Sequence, residues 1–313
     1  YLVNLYGEVP LILSPDYRTN ALASRSDAQE IYKSIISDLE MAITNLGDTF
    51  FEGQRIRPNK FTALALLARV HLYRENWEKA EAASTQVIGS TSNFSLINNL
   101  DEVFLANSKE AIWQITPAGG SLSFATNEGR IFILTSPPPD SQKPVALTND
   151  LIGSYADVDI RKENWIGRLD TEDEVYHYPF KYKVNSADEI TEYSMVLRLA
   201  EQYLIRAEAR AHQDKLAGAI ADLDKIRTRA HLAPLSIIAP GINKVALLDS
   251  MQLERRRELF TEWGHRWLDL KRTERASDVL GSIKTSWQPS DRLYPIPESE
   301  IDKNPNLEQN NGY

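Results

Sequence analysis

Many side chains here can do chemistry, but few are spaced to do it. The five histidines, His71, His177, His212, His231 and His265, include no pair four residues apart, so no helix face offers the paired imidazoles of a catalytic zinc site. The nucleophile elbow, the P-loop and the glycine pattern of dinucleotide binding are all missing from the sequence. Cysteine is missing too, which removes disulfides, zinc–thiolate sites and thiol nucleophiles together. Carboxylates are plentiful, so a glycosidase-like pair is always imaginable, yet nothing singles one out. The run Asp170-Thr171-Glu172-Asp173-Glu174 offers hard oxygen ligands but lacks the glycine of a calcium loop, and reads as a solvated turn. Arg255-Arg256-Arg257 and Lys271-Arg272 are interleaved with Glu254, Glu258, Glu262, Asp269 and Glu274, a salt-bridged helix face rather than a phosphate site. No metal site, cofactor or catalytic group is expected.

The remaining signal is aromatic. Phe124, Phe132, Tyr155, Trp165, Tyr176 and Tyr178 lie in or beside a stretch that lacks long helical periodicity, with Asn127, Arg130 and Asn164 close by. Sugar rings present apolar C–H faces that stack on aromatic planes, while amides and guanidinium groups bond the hydroxyls. Phe124, Asn127, Arg130, Phe132, Trp165, Tyr176 and Tyr178 are therefore the candidate ligand-binding residues. For each ring the competing reading is a plug that pins a loop to the scaffold. Trp113, in mid-strand, and Trp263 and Trp267, on a helix stripe, read as core; Trp287 fits either role.

The elements that must position these residues are mostly helical. Ser26-Asp27 can cap a helix from Ala28 to about Leu46, with Ile31, Ile35, Leu39 and Ile43 on one face. A second helix runs from Asn59 to about Arg74 after Pro58, and a third from Trp77 to Ile88, joined by a very short turn. A second hairpin, Val196–His212 and Lys215–Ala230, repeats the first: Ala68 aligns with Ala207, Leu66 with Ile205, Ala80 with Ala219 and Val87 with Ile226. Small residues at the crossing and large ones in the groove follow the logic of tetratricopeptide units, loosely, since Ala83 meets Asp222. A last helix is expected over Lys244–Arg275, with Phe260, Trp263, Trp267 and Leu270 as its stripe and Glu262 paired to Arg266. Between the hairpins, Ala111–Ile115 reads as a strand, Arg130–Thr135 as another, and Thr148–Tyr155 as a short helix. The fold class is mainly α: tetratricopeptide-like hairpins (an α/α superhelix) over residues 1–89 and 196–275, a loop-rich insert at 90–195, and an extended strap at 276–313. So long an irregular insert suggests function rather than linkage.

A chain of 313 residues with 42% apolar and 25% charged residues can bury a large core. Its net charge of −9 argues against a nucleic-acid partner. No apolar run reaches the ~18 residues of a membrane-spanning helix.

The final twenty-one residues carry the most specific pattern, Leu293-Tyr294-Pro295-Ile296-Pro297 through Asn304-Pro305-Asn306-Leu307 to Gln309-Asn310-Asn311-Gly312-Tyr313. Its prolines rule out a continuous helix, and Leu293, Tyr294, Ile296, Ile301, Leu307 and Tyr313 could pin it to a body. The stretch resembles the C-terminal signature of the SusD/RagB family of outer-membrane nutrient-binding lipoproteins, except that Asn311 stands where that family usually has proline. Three more segments resemble the family in order: Tyr1–Pro10, Arg198–Ala209, and Glu254–Arg272, where Trp263 takes a position often held by glutamate. Helical spacing in Tyr1–Tyr6, ending at Gly7, suggests the tail of a longer helix, and the family's signal peptide, lipidated cysteine and N-terminal helical region are not seen in the chain. The resemblance implies one SusD-like domain over 1–313, short of that region, facing outward at the cell outer membrane. It implies non-catalytic capture of an oligosaccharide or similar nutrient and delivery to a SusC-type TonB-dependent transporter. The competing class is a tetratricopeptide-like scaffold that binds protein and no sugar; an enzyme ranks third.

Overall fold

The computed structural model describes residues 1–117, 124–139 and 145–313. It comprises two compact units, residues 42–263 and residues 1–41 with 264–313. The division falls inside α1 (Ala28–Asn45), which starts where Asp27 accepts the Gln29 N–H at 2.7 Å.

The larger unit is built on two helical hairpins, α2 (Lys60–Tyr73) with α3 (Trp77–Gly89), and α7 (Leu199–His212) with α8 (Leu216–Arg229). Between them lie β1 (Ala111–Ile115), α4 (Asn127–Phe132), α5 (Asn149–Ser154), α6 (Ile160–Asn164), β2 (Ile166–Asp170), β3 (Val175–Pro179) and β4 (Ser194–Arg198); α9 (Lys244–Glu258) follows the second hairpin. β1 pairs antiparallel with β4, and β2 with β3. The fold is mainly α with tetratricopeptide-like hairpins, as the periodicity suggests. The repeat is tight in register: α2 and α7 run from Lys60 to Tyr73 and from Leu199 to His212, an offset of 139 residues at both ends.

Both hairpin turns close alike. Glu75 N–H donates to Leu72 O and Asn76 N–H to His71 O; Asp214 and Lys215 repeat this on Ala211 and Arg210. This six-to-one closure puts Glu75 at φ 56° and Asp214 at φ 60°, left-handed positions usually filled by glycine or asparagine. Ala68, Ala80, Ala83, Ala207 and Ala219 are buried at the crossings and admit close packing. α2 is buried around most of its circumference, and its buried Arg69 is matched by Glu201 of α7 through two bonds of 2.6 and 2.7 Å.

Two expectations are corrected. Arg130–Thr135 is not a strand: Thr126 Oγ accepts the Gly129 N–H and starts α4 instead. Nor is Lys244–Arg275 one helix. α9 ends at Glu258, and Thr261, Trp263 and Gly264 take φ of 56°, 45° and 72°. The carbonyls that a continuing helix would bond internally go elsewhere. Glu258 O accepts from Lys181 Nζ at 2.8 Å and from Arg198 at 2.7 Å, and Phe260 O accepts from Lys181 at 2.9 Å. The stripe Phe260–Trp263–Trp267–Leu270 is therefore not a helix face.

In the smaller unit, α10 (His265–Arg272) and α11 (Ala276–Gly281) form a third short hairpin. Its turn repeats the same closure, Glu274 N–H to Lys271 O and Arg275 N–H to Leu270 O, with Glu274 at φ 58°. The strap expected over 276–313 is extended only in part, because 276–281 form α11 and Pro289–Arg292 and Glu298–Ile301 are short helical turns, and amides hold its extended stretches more than apolar contacts do. Gln309 bonds both the N–H and the C=O of Ile296, Asn310 donates to Tyr6 O and Tyr294 O, Asn304 to Ala23 O and Asn306 to Leu22 O. Proline-rich backbone cannot donate to a ladder, so side-chain amides take over that role. Ile296 is buried, whereas Tyr294 and Tyr313 are exposed.

Candidate functional site

The candidate residues fall into two groups. Phe124 and α4 form the first. Asn127 and Arg130 are exposed on α4, Phe132 is half-buried at its end, and half-buried Phe124 donates its backbone N–H to Ala187 O at 3.4 Å. Glu128 on the same helix accepts the Ser194 hydroxyl at 2.7 Å, which ties α4 to β4.

The β2–β3 hairpin carries the second group. The acidic run 170–174 forms its turn, with Thr171 and Glu174 bonded to each other. Tyr176 and Tyr178 are half-buried on β3, opposite Leu169 and Gly167. A Cβ on Gly167 would stand 2.2 Å from the Tyr178 ring, so the missing side chain is the seat of that ring. Tyr178 also meets Phe180 edge-on at 5.8 Å. Tyr176 bonds the Glu174 carboxylate, which pushes its hydroxyl pKa up.

Trp165 is a correction. It is fully buried, and its indole N–H donates to Leu100 O at 3.0 Å. Lys181 Nζ lies 4.9 Å from its ring centroid, with the Arg198 and Arg229 guanidinium carbons at 5.7 and 5.8 Å. Three cations around one ring leave no face for a ligand. Tyr155 is likewise buried, its hydroxyl on Arg257 O.

These cations belong to a buried ionic network. Arg198 bonds Glu110 at 2.9 Å, Glu258 at 2.6 Å and Glu262 at 2.8 Å. Arg229 bonds Glu110 at 2.6 Å and also reaches Glu258. Arg161 bonds Asp159 at 2.7 Å, Glu254 at 2.6 Å and Glu258 at 3.0 Å, and Lys181 bonds Glu262 at 2.5 Å. Burial alone would raise Glu258, but Arg229, Arg198 and Arg161 outweigh it and hold the carboxyl well below the usual range. Glu262, also raised by burial, is brought down to about 2 by Arg198 and Lys181. Burial pulls Lys181 down to about 8 against the pull of Glu262. A general acid needs a raised carboxyl; these acids are held ionised by their partners and are structural. The spacing of Glu254, Glu258 and Glu262, four apart, was the sequence signal for this network. The expected salt-bridged helix face is interior, with partners drawn from α6, the segment after β3, β4 and α8.

Comparison with known proteins places the chain. A model of the SusD family matches residues 160–313, and a second, described as starch-binding and associating with the outer membrane, matches residues 1–72. SusD-like protein P2 of Formosa agariphila is 29% identical over 366 aligned residues, covering 100% of this chain and 71% of that protein. A SusD superfamily protein of Parabacteroides distasonis superimposes with a TM-score of 0.84 at 25% identity, over 100% of this chain and 75% of that one. A laminarin-binding SusD-like protein does so with a TM-score of 0.81 at 26% identity, again over 100% and 75%. The chain belongs to the SusD family. In this SusD-family chain three of the four segments that resemble the family carry buried ion pairs, a left-handed break or amide clamps. Arg198–Ala209 carries the network arginine and the Glu201 partner of Arg69. Glu254–Arg272 carries the buried acids and the left-handed break. The last twenty-one residues carry the amide clamps.

Proposed function

We propose that this protein captures carbohydrate at the outer face of an outer membrane, without chemical turnover, and passes it to a SusC-like TonB-dependent transporter. The observation that carries the reading is superposition of the whole chain on a laminarin-binding SusD-like protein at 26% identity and a TM-score of 0.81. The match of residues 1–72 to a family described as starch-binding and outer-membrane associating supports the same ligand class and location. The ionic network adds chemical support for binding over catalysis, because its buried carboxylates are committed to arginine and lysine partners. Transporter docking and an N-terminal lipid anchor are part of the proposal, supported by the likeness to SusD-family proteins. Within the insert, Asn127 and Arg130, with Phe124, Phe132, Tyr176 and Tyr178, are the proposed contacts; Trp165 leaves the set.

Affinity electrophoresis in native gels containing laminarin, starch, xylan or pectin tests the reading, with an assay for new reducing ends alongside. Retardation by one glycan with no new ends is the expected result. Retardation by none of them, or new reducing ends, would overturn it.

A further inference from the structure

The smaller unit contains an aromatic-walled pocket around Trp287. The half-buried Trp267 and Trp287 meet nearly at right angles, 81°, with centroids 6.0 Å apart. Tyr294 lies over Trp267 at 6.2 Å and 32°. Tyr313, the last residue, makes a further wall. The cavity is about 600 Å³, inside the range of roughly 300–1,000 Å³ typical of small-molecule sites.

The pocket is built rather than incidental. Trp287 is fixed by its N–H on Ser277 Oγ at 3.3 Å. Tyr313 is fixed by its hydroxyl on Leu293 O at 2.8 Å. Gly312 adopts φ 101°, and a Cβ there would lie 2.5 Å from Ser290, so only glycine lets the chain end fold back this way. Lys284 and Asp291, whose Oδ2 already accepts the Gln288 N–H, also line the pocket and offer it a donor and an acceptor. Trp267 Nε1 is withdrawn from solvent and has no acceptor among the described residues. A buried donor left unmet is costly, and a ligand oxygen reaching it would recover that cost.

Two indole planes set as a corner suit a ring with apolar C–H faces, and paired donor and acceptor groups suit hydroxyls that are both. We propose that this pocket is a carbohydrate-binding subsite, distinct from the insert, in which a sugar ring stacks on Trp287; the proposal rests on the glycan-capture reading above.

The test uses the same native gels with laminarin, starch, xylan or pectin. Trp287→Ala is expected to weaken retardation at least tenfold, Trp287→Phe to keep most of it, and Lys284→Ala to weaken it two- to fivefold. Lys284 is exposed, so its substitution reads the pocket even where Trp287→Ala folds poorly. If the wild-type chain is retarded and both Trp287→Ala and Lys284→Ala match it, the subsite is overturned while glycan capture stands. If no glycan retards the wild type, the capture reading fails and the subsite falls with it.

Discussion

Trp165 and Trp287 are the same side chain in opposite settings. Trp165 sits in the loop-rich insert, where an indole reads as a ligand platform, yet it is fully buried with its N–H satisfied and three cations around it. Trp287 sits in the C-terminal segment, six residues before Leu293, and is half-buried in an aromatic corner with open volume beside it. The lesson is that an irregular setting does not make a tryptophan available. Availability depends on whether the residues around it use up its faces. Around Trp165 they come from β4, α8 and the segment after β3; at Trp287 the Trp267 ring meets it edge-on.

Substitutions can break this comparison. Trp165→Ala is expected to have the largest effect, a loss of about 3–5 kcal/mol in urea unfolding, because it opens a cavity beneath the network. A stable Trp165→Ala chain that had lost only ligand retardation would reverse the two roles. Glu258→Gln should cost about 3–5 kcal/mol by the same measurement, since it leaves Arg161, Arg198 and Arg229 short of a buried countercharge.

Acid should expose the same network. Glu258 and Glu262 are held lower in the folded chain than the ordinary carboxylate value near 4.5, Glu262 at about 2. The unfolded chain therefore takes up protons first as the pH falls below 4.5. The contribution is fully present above that value and is lost from there down to about pH 2, on the order of 3 kcal/mol for Glu262. A melting temperature flat between pH 5 and 3 would remove these acids from the stability account. Trp287→Ala should change stability by about 1–2 kcal/mol at most, while weakening retardation at least tenfold. Gly312→Ala, the smallest change, should displace Tyr313 and weaken retardation a few-fold with little effect on melting.

Much of the scaffold was legible. Both hairpins and their offset followed from apolar spacing, because amphipathic helices write their period into the chain. The left-handed closure of their turns was not legible, since Glu75 and Asp214, like Glu274 in the third hairpin, occupy positions where glycine is the usual signal. The break after Glu258 was hidden for another reason: Lys181 and Arg198 claim carbonyls that local propensity assigns to the helix. The network pairs Glu110 with Arg198 and Arg229 across 88 and 119 residues, which no short-range pattern reveals. The Trp287 pocket was half-visible. The strap was recognisable, but the return of Tyr313 depends on a backbone angle at Gly312 that the sequence only permits.

The most direct test follows the six tryptophan indole N–H signals by NMR, assigned with single Trp→Phe variants, while an oligosaccharide of whichever panel glycan retards the chain is added. The expected result is that Trp287 and Trp267 shift with the ligand while Trp165 stays in place. Shifts at Trp165 with Trp287 unmoved would contradict the account.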